Sequence, residues 1–310
     1  MAALTLFEAA KLHSGDVFRQ GVIETIGTYG NVMSVIPFMG IPGAAYTYNQ
    51  EEALAGVAFR GVNESFTPDT GIINPQTETL KIFGGSVDVD KFIVDTHGED
   101  QREMQERSKM KAMALNWSRT FIKGDSSSNP REFDGLQVRL TGSQVIDAGA
   151  TSGGDALSLL KLDELIDAVD SPTHLAMNRT MLRLLNAATR STGVSGFITH
   201  GVDDFGRRIT MYNDLPIVII DEDASRQQIL AFDEASPGGG AAVSTSIYCM
   251  SIGDNQLMGI QNGTMDARDL GLLDDGTKYR TVVEWYNGIV LLGDKSAARL
   301  RGIKNAPVVA

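Results

Sequence analysis

Residues 99–123 read EDQREMQERSKMKAMALNWSRTFIK, and this stretch decides the architecture. Met110, Met113, Ala114, Trp117 and Phe121 recur at i, i+3, i+4, i+7 and i+11, which places them on one face of an α-helix. No Pro or Gly interrupts the run. Glu99, Asp100, Glu103 and Glu106 crowd its first half, and Arg107, Lys109, Lys111, Arg119 and Lys123 its second, the order that the helix macrodipole favours. Glu103 and Arg107 form an i,i+4 pair with the acid N-terminal, the stronger orientation. At 1.5 Å per residue the helix is about 37 Å long. It is expected to be a domain's spine, with Met110, Met113, Trp117 and Phe121 in the core. Gly124 and the polar run Asp125–Asn129 end it.

N-terminal to the spine, AYTYNQEEALAGVAFRG (45–61) and TETLKIFGGSVDVDKFIVD (77–95) are rich in Thr, Tyr, Val, Ile and Phe and partly alternate. VNESFTPDTGIINPQ (62–76) between them is turn-rich. The reading is a long two-stranded excursion that returns into a sheet near Val87 to Val94. An isolated hairpin is marginal in water, so this one packs on its own chain or on another copy. Residues 5–26 read as two short helices, the first with capping-box spacing between Thr5 and Glu8. Gly27, Gly30, Pro37, Gly40 and Pro42-Gly43 then break the chain into an arm.

Beyond the spine the pattern becomes an α/β mixture. Leu159, Leu162, Leu165, Ile166 and Val169 predict one helix, and Asn178 caps a second through Met181, Leu184, Leu185 and Ala188. Strands are expected at 208–212, 215–220, 228–232, 246–252, 257–260 and 281–292. A flexible loop is expected around Gly238-Gly239-Gly240 and a short closing helix over 296–300. The fold class is α+β.

Acidic residues outnumber basic ones 39 to 27, a net charge of −12, which argues against a tight, sequence-independent grip on nucleic acid and against a basic membrane-binding face. One cysteine, Cys249, excludes an internal disulfide or a Cys-rich zinc module. The N-terminus has no basic, then apolar, signal pattern, and the longest aliphatic run, 215–220, is far short of the ~20 residues that span a bilayer. A reducing cytoplasm is the expected setting.

Chemistry is sparse. Gly238-Gly239-Gly240 lacks the spacing and the Lys-Ser/Thr of a phosphate loop, and Gly193-Val-Ser-Gly196 lacks the last glycine of a nucleophile elbow. His13, His97, His174 and His200 are too scattered for a local metal pair. Asp88 with Asp90, and the run Asp221–Asp223, could hold a cation through oxygen but lack a calcium-loop pattern, and read better as solvated edges or interface charge. Lys295, Arg299, Arg301 and Lys304 are too few for a nucleic-acid site and suit an acidic neighbour. No catalytic residue, metal ligand or cofactor is expected.

The order of elements resembles the HK97-like fold of tailed-bacteriophage major capsid proteins over nearly the whole chain. The resemblance rests on Val35-Ile36-Pro37-Phe38 ending the arm, the hairpin AYTYN…GVAFRGVNES, and the helix running into Phe121-Ile122-Lys123-Gly124-Asp125. Glu132-Phe133-Asp134-Gly135-Leu136 and the terminal VEWYNGIVLLGDKSAARLRGI complete it. It implies an N-arm at 1–43, an E-loop at 44–85 lying across a neighbour, a P-domain at 86–150 and 276–310, and an A-domain at 151–275. It implies a non-enzymatic, self-assembling icosahedral shell of hexamers and pentamers. The shell encloses double-stranded DNA without specific binding, is built in the host bacterial cytoplasm and resides in the virion. Scaffolding and portal proteins are implied partners, with decoration proteins left open. Inter-subunit contacts are expected at Phe59, Arg60, Glu64, Phe66, Glu103, Arg107, Arg299 and Arg301. The stretch from Ala44 to Leu80 has no Lys, so isopeptide cross-linking through that loop is not expected. No long charged helical leader precedes the arm, so a separate scaffold is expected. The alternatives are an encapsulin-type nanocompartment shell, which shares the fold, and an enzyme with a dispersed site.

Overall fold

Trp117 is the residue around which the first of two packed layers is built. The structure, a computed structural model, describes residues 31–53, 55–66, 72–97, 100–192, 198–202 and 208–309. The helices expected over 5–26, residue Glu99 and the loop 193–196 lie outside these. The spine is helix α2, Asp100–Lys123, preceded by a short helix α1, Lys91–His97. Met110, Met113, Ala114, Trp117 and Phe121 are all buried, as the spacing predicts. They pack on a five-stranded sheet whose long central strand β13 (Lys278–Leu291) pairs with β4 (Lys81–Asp90) along one edge. Strands β11 (Leu257–Gln261) and β12 (Asp266–Leu272) share its other edge, and β1 (Phe38–Gly40) adds in parallel to β11.

Aromatic rings fill the helix–sheet junction. Trp117 stacks on Phe121 at 5.4 Å between centroids, and Phe38 lies 4.9 Å from Trp285 and 5.9 Å from Trp117. Both indole N–H groups, although buried, donate: Trp117 to Asn287 Oδ1 (3.1 Å) and Trp285 to Gln261 Oε1 (2.9 Å). A Cβ on Gly259 would stand 2.3 Å from the Phe38 ring, so only glycine lets β1 lie this close. The string Glu132–Leu136 has a physical reason. Phe133 and Leu136 enter the core beside Trp117, and Asp134 Oδ1 accepts the Ser126 N–H (2.7 Å). Gly135 passes so near the end of α2 that a Cβ would meet the Thr120 carbonyl at 2.6 Å. The chain then forms α3, Leu136–Arg139.

The second layer is a seven-stranded mixed sheet, β5-β14-β10-β6-β9-β8-β7. Its strands are β5 (Val145–Asp147), β6 (His174–Met177), β7 (Ile198–Val202), β8 (Arg208–Tyr212), β9 (Leu215–Ile219), β10 (Ser244–Met250) and β14 (Ala297–Lys304). Helix α4 (Leu159–Asp167) buries Leu162, Leu165 and Ile166 in the core shared with β10 and β14. Helix α5 (Arg179–Thr192) starts as expected, with Asn178 Oδ1 accepting the Met181 N–H (2.7 Å). Sheet pairing redraws the implied division of the chain. β11 and β12, inside 151–275, pair with β13, whereas β5 and β14, outside it, pair into the second sheet.

Four local expectations are corrected. The strand anticipated at Val87 to Val94 is β4 and ends at Asp90, whose carboxylate accepts the Phe92 N–H (2.8 Å) and opens α1. Residues 228–232 form no strand, because Asp223 Oδ1 accepts from the Ser225 and Gln227 N–H groups and Arg226 turns to φ 61°. The helix expected over 296–300 is absent, and residues 297–300 are strand: β14 lies between β5 and β10, and small Ala297 and Ala298 fit a strand covered on both faces. The Gly238–Gly240 loop is docked, with the Gly153 N–H donating to the Gly239 carbonyl (2.9 Å).

The hairpin is a sheet of its own, β2 (Ala45–Ala53) against β3 (Ile72–Thr79). Gly43, at φ +104°, starts it, and Leu80 alone separates β3 from β4. Trp117→Ala should cost about 3–5 kcal/mol, read as a lower urea midpoint of unfolding with unchanged slope. A loss under about 1 kcal/mol would mean that the aromatic junction does not hold the layer together.

Candidate inter-subunit interface

Residues 55–66 at the hairpin's far end form a self-bonded turn. The Arg60 guanidinium donates to the Glu64 carbonyl (3.0 Å) and lies 5.4 Å over the Phe66 ring, while the Gly61 N–H donates to Glu64 Oε2 (2.8 Å). Asn63 takes the left-handed conformation, φ 68°. Of the residues expected at this contact, Arg60, Glu64 and Phe66 are thus brought together, and Phe59 projects from the same turn. Arg60 and Glu64 are committed to shaping the turn. What the turn presents is apolar: Phe59 is 107% exposed, Val57 97%, Val62 92% and Phe66 61%. Val57 and Val62 were missed in the sequence, although their β-branched types flank the chosen Phe59. Covering side chains of this size is worth about 1.5–3 kcal/mol each. A contiguous exposed apolar group is the mark of an interaction surface.

The hairpin's root, by contrast, is fastened to its own body. Arg139 on α3 grips the Glu78 carboxylate with both terminal nitrogens, Nη2 to Oε2 at 2.8 Å, and its Nε donates to the Asp134 carbonyl (2.7 Å). Tyr46 and Tyr48 stack at 6.0 Å and pack on Ile41, Met258, Ile260 and Val290. Lys81 Nζ donates to the Pro130 carbonyl (2.9 Å).

Glu103 and Arg107 pair at 2.5 Å on the exposed side of α2, near exposed Met104, and α1 exposes Phe92 and Ile93. Arg301 reaches the cross-strand Asp147 (2.6 Å) and stays half-exposed. Arg299 is a correction. Its position on a central strand buries it, where it donates to Glu234 Oε2 (2.8 Å) and Ser246 Oγ (3.0 Å) and lies 5.9 Å over the Tyr248 ring. It is held in the interior of its own chain.

The candidate cation sites are occupied by arginine. Asp88 is gripped by Arg280, which holds its carboxyl below the usual range, and Asp221 is bridged by Arg179. Among the described residues no three His, Cys, Asp or Glu side chains form a metal cluster, and no helix is long and apolar enough to cross a membrane. His174 and His200 lie on β6 and β7, separated in the sheet by two strands, and burial pushes His174 down to about 4. Burial pushes the Cys249 thiol up to about 12, leaving it unreactive. A cavity of about 230 Å³ at the carboxyl ends of the parallel strands β6 and β9 is lined by Asn178, Arg179, Asp221, Glu222 and Gln228. It holds no nucleophile–base pair. Arg299→Met should cost about 3–5 kcal/mol in a urea titration, because Glu234 is left buried and unpaired. Adding Glu234→Leu should recover most of it. Equal losses in the single and double variants would contradict this pairing.

Residues 22–163 match the family described as "Major capsid protein GP7". No curated protein matches the chain. Among solved structures, the holo-SrpI encapsulin complex from Synechococcus elongatus PCC 7942 aligns with TM-score 0.64 at 17% identity, covering 89% of this chain and 88% of that one. Mycobacterium phage Adephagia aligns with TM-score 0.59 at 9% identity, over 89% and 90%. The capsid of cyanophage A-1(L) aligns with TM-score 0.58 at 13% identity, over 86% and 90%. The chain has the HK97-like fold, and residues 22–163 are similar in sequence to the family described as major capsid protein GP7.

Proposed function

We propose that this chain is the major structural subunit of an icosahedral phage shell, many copies closing around double-stranded DNA. The observation that carries the reading is the hairpin: a root fastened to its own body and a self-shaped apolar tip that its own chain leaves uncovered. A second copy supplies the missing cover. The encapsulin alignment supports the fold equally well for a nanocompartment shell, and the GP7 match over 22–163 favours the virion.

In this reading residues 1–43 are the N-arm and 44–80 the E-loop, shortened from 85 because β4 begins at Lys81. The P-domain comprises α1, α2 and the sheet around β13. The A-domain comprises the second sheet with α4 and α5, and β5 and β14 tie the two together. The subunit works as hexamers and pentamers and does no catalysis. Scaffolding and portal proteins direct its closure in the host bacterial cytoplasm. A net charge of −12 keeps the subunit from gripping the DNA it encloses. Each copy buries on the order of 2,000–5,000 Å² against all its neighbours, and many moderate contacts give a tight shell.

Phe59→Ser tests the carrying observation. It should leave the thermal midpoint of the free subunit within about 2 °C, because the ring is fully exposed among the described residues. It should raise the concentration needed for shells, scored by negative-stain microscopy with scaffold present, by about tenfold or more. Shells formed at the wild-type threshold would remove the tip from the assembly contact.

A further inference from the structure

We propose that Arg139 and Glu78 form a latch that sets the pitch of the hairpin, and that this pitch decides whether subunits close into one shell size. Arg139 is a positioning residue: it acts through the hairpin. The inference rests on the shell reading, and names what aims the contact surface.

The hairpin leaves the body through two connections, Gly43 on one side and Leu80 on the other. Gly43 stands at φ +104° with nothing within 4 Å of where a Cβ would be, so this connection has room to swing. Besides the packing of Tyr46 and Tyr48, two hydrogen bonds bind the root itself: the Leu80 N–H donates to the Ala44 carbonyl (2.9 Å), and the Asn262 side-chain Nδ2 to the Gly43 carbonyl (2.9 Å). Both sit at the pivot and restrain position more than angle. The Arg139–Glu78 pair sits one residue pair along the ribbon, since Glu78 opposes Tyr46, and it joins the ribbon to α3. It is two-pronged, and the side chains are only 13% and 23% exposed. Planar, bidentate pairing of this kind fixes direction as well as distance. The guanidinium is fixed in turn by its third bond, to the Asp134 carbonyl (2.7 Å). Asp134 belongs to the 132–136 turn that is wedged against the end of α2. The hairpin's angle is therefore referred to the spine through a chain of directional bonds. A small change of pitch at the root is multiplied at the tip, because each residue of ribbon adds about 3.4 Å of lever arm.

The test uses the full chain as unassembled subunits. Cys249 is buried and unreactive, so Val62→Cys with Leu160→Cys places spin labels selectively on the exposed tip and on exposed α4. The distance distribution between them, read by pulsed electron resonance, is compared in three backgrounds: wild type, Glu78→Gln and Arg139→Lys. Glu78→Gln is isosteric, and circular dichroism confirms that each variant is folded. Loss of the charged pair should raise the population away from the wild-type distance by about tenfold. With scaffold present, the same variants, unlabelled, should give shells of mixed size or open sheets. Arg139→Lys, which keeps the charge and loses the fork, should fail in the same way. An unchanged distance distribution in both variants overturns the latch whatever the shells look like. A broadened distribution with uniform wild-type shells overturns its role in closure. Wild-type subunits that form no shells with scaffold count against the shell reading, while the distance measurement still decides the latch.

Discussion

The packing of Trp117 against Phe38, Phe121, Phe133 and Trp285 is the constraint on which the rest depends. Segments far apart in the chain meet there: β1, near the start of the described residues, and β13, the long strand toward the C-terminus. The same ring cluster seats Phe133 and Leu136, so the turn that carries Arg139 is fixed by the core. Stability made in the interior is thus transmitted outward, first to α3, then to the hairpin root, and finally to a tip some distance from any core of its own.

That arrangement separates two jobs that a globular protein usually merges. The interior pairs its largest polar groups: both indoles find acceptors, and Arg299 finds Glu234. On the exterior, Val57, Phe59, Val62 and Phe66 face solvent on a ribbon whose polar groups are spent on its own turn. Such a ribbon gains nothing within one chain from the apolar side chains at its end, and it becomes useful only when another surface covers them. The fold is shared with an encapsulin complex and a mycobacterium phage.

The spine was legible because Met110 through Phe121 repeat at helical spacing without interruption, and Asn178 because a cap acts on its own next turn. The hairpin was legible as a pattern of strand residues around a turn-rich centre. What the sequence hid was non-local. Ala297, Ala298 and Leu300 look helical by propensity and become strand because β10 and β5 flank them. Arg299 looks like a surface charge and is buried because its partner Glu234 lies 65 residues away. The Arg139–Glu78 fork spans 61 residues and leaves no local mark. Motif strings such as 132–136 carried the resemblance, but their reason, a glycine pressed against a helix end, needs the fold to be seen.

The claim that the tip is covered by a second copy is tested most directly by cross-linking in mixed-isotope assemblies. Subunits carrying a photoreactive phenylalanine analogue at position 59 are grown in ordinary nitrogen, co-assembled with heavy-nitrogen subunits, irradiated and digested. The account predicts that light peptides containing residue 59 are joined to heavy peptides. Cross-links confined to light peptides of the same chain, with free mixing shown elsewhere in the shell, would contradict it.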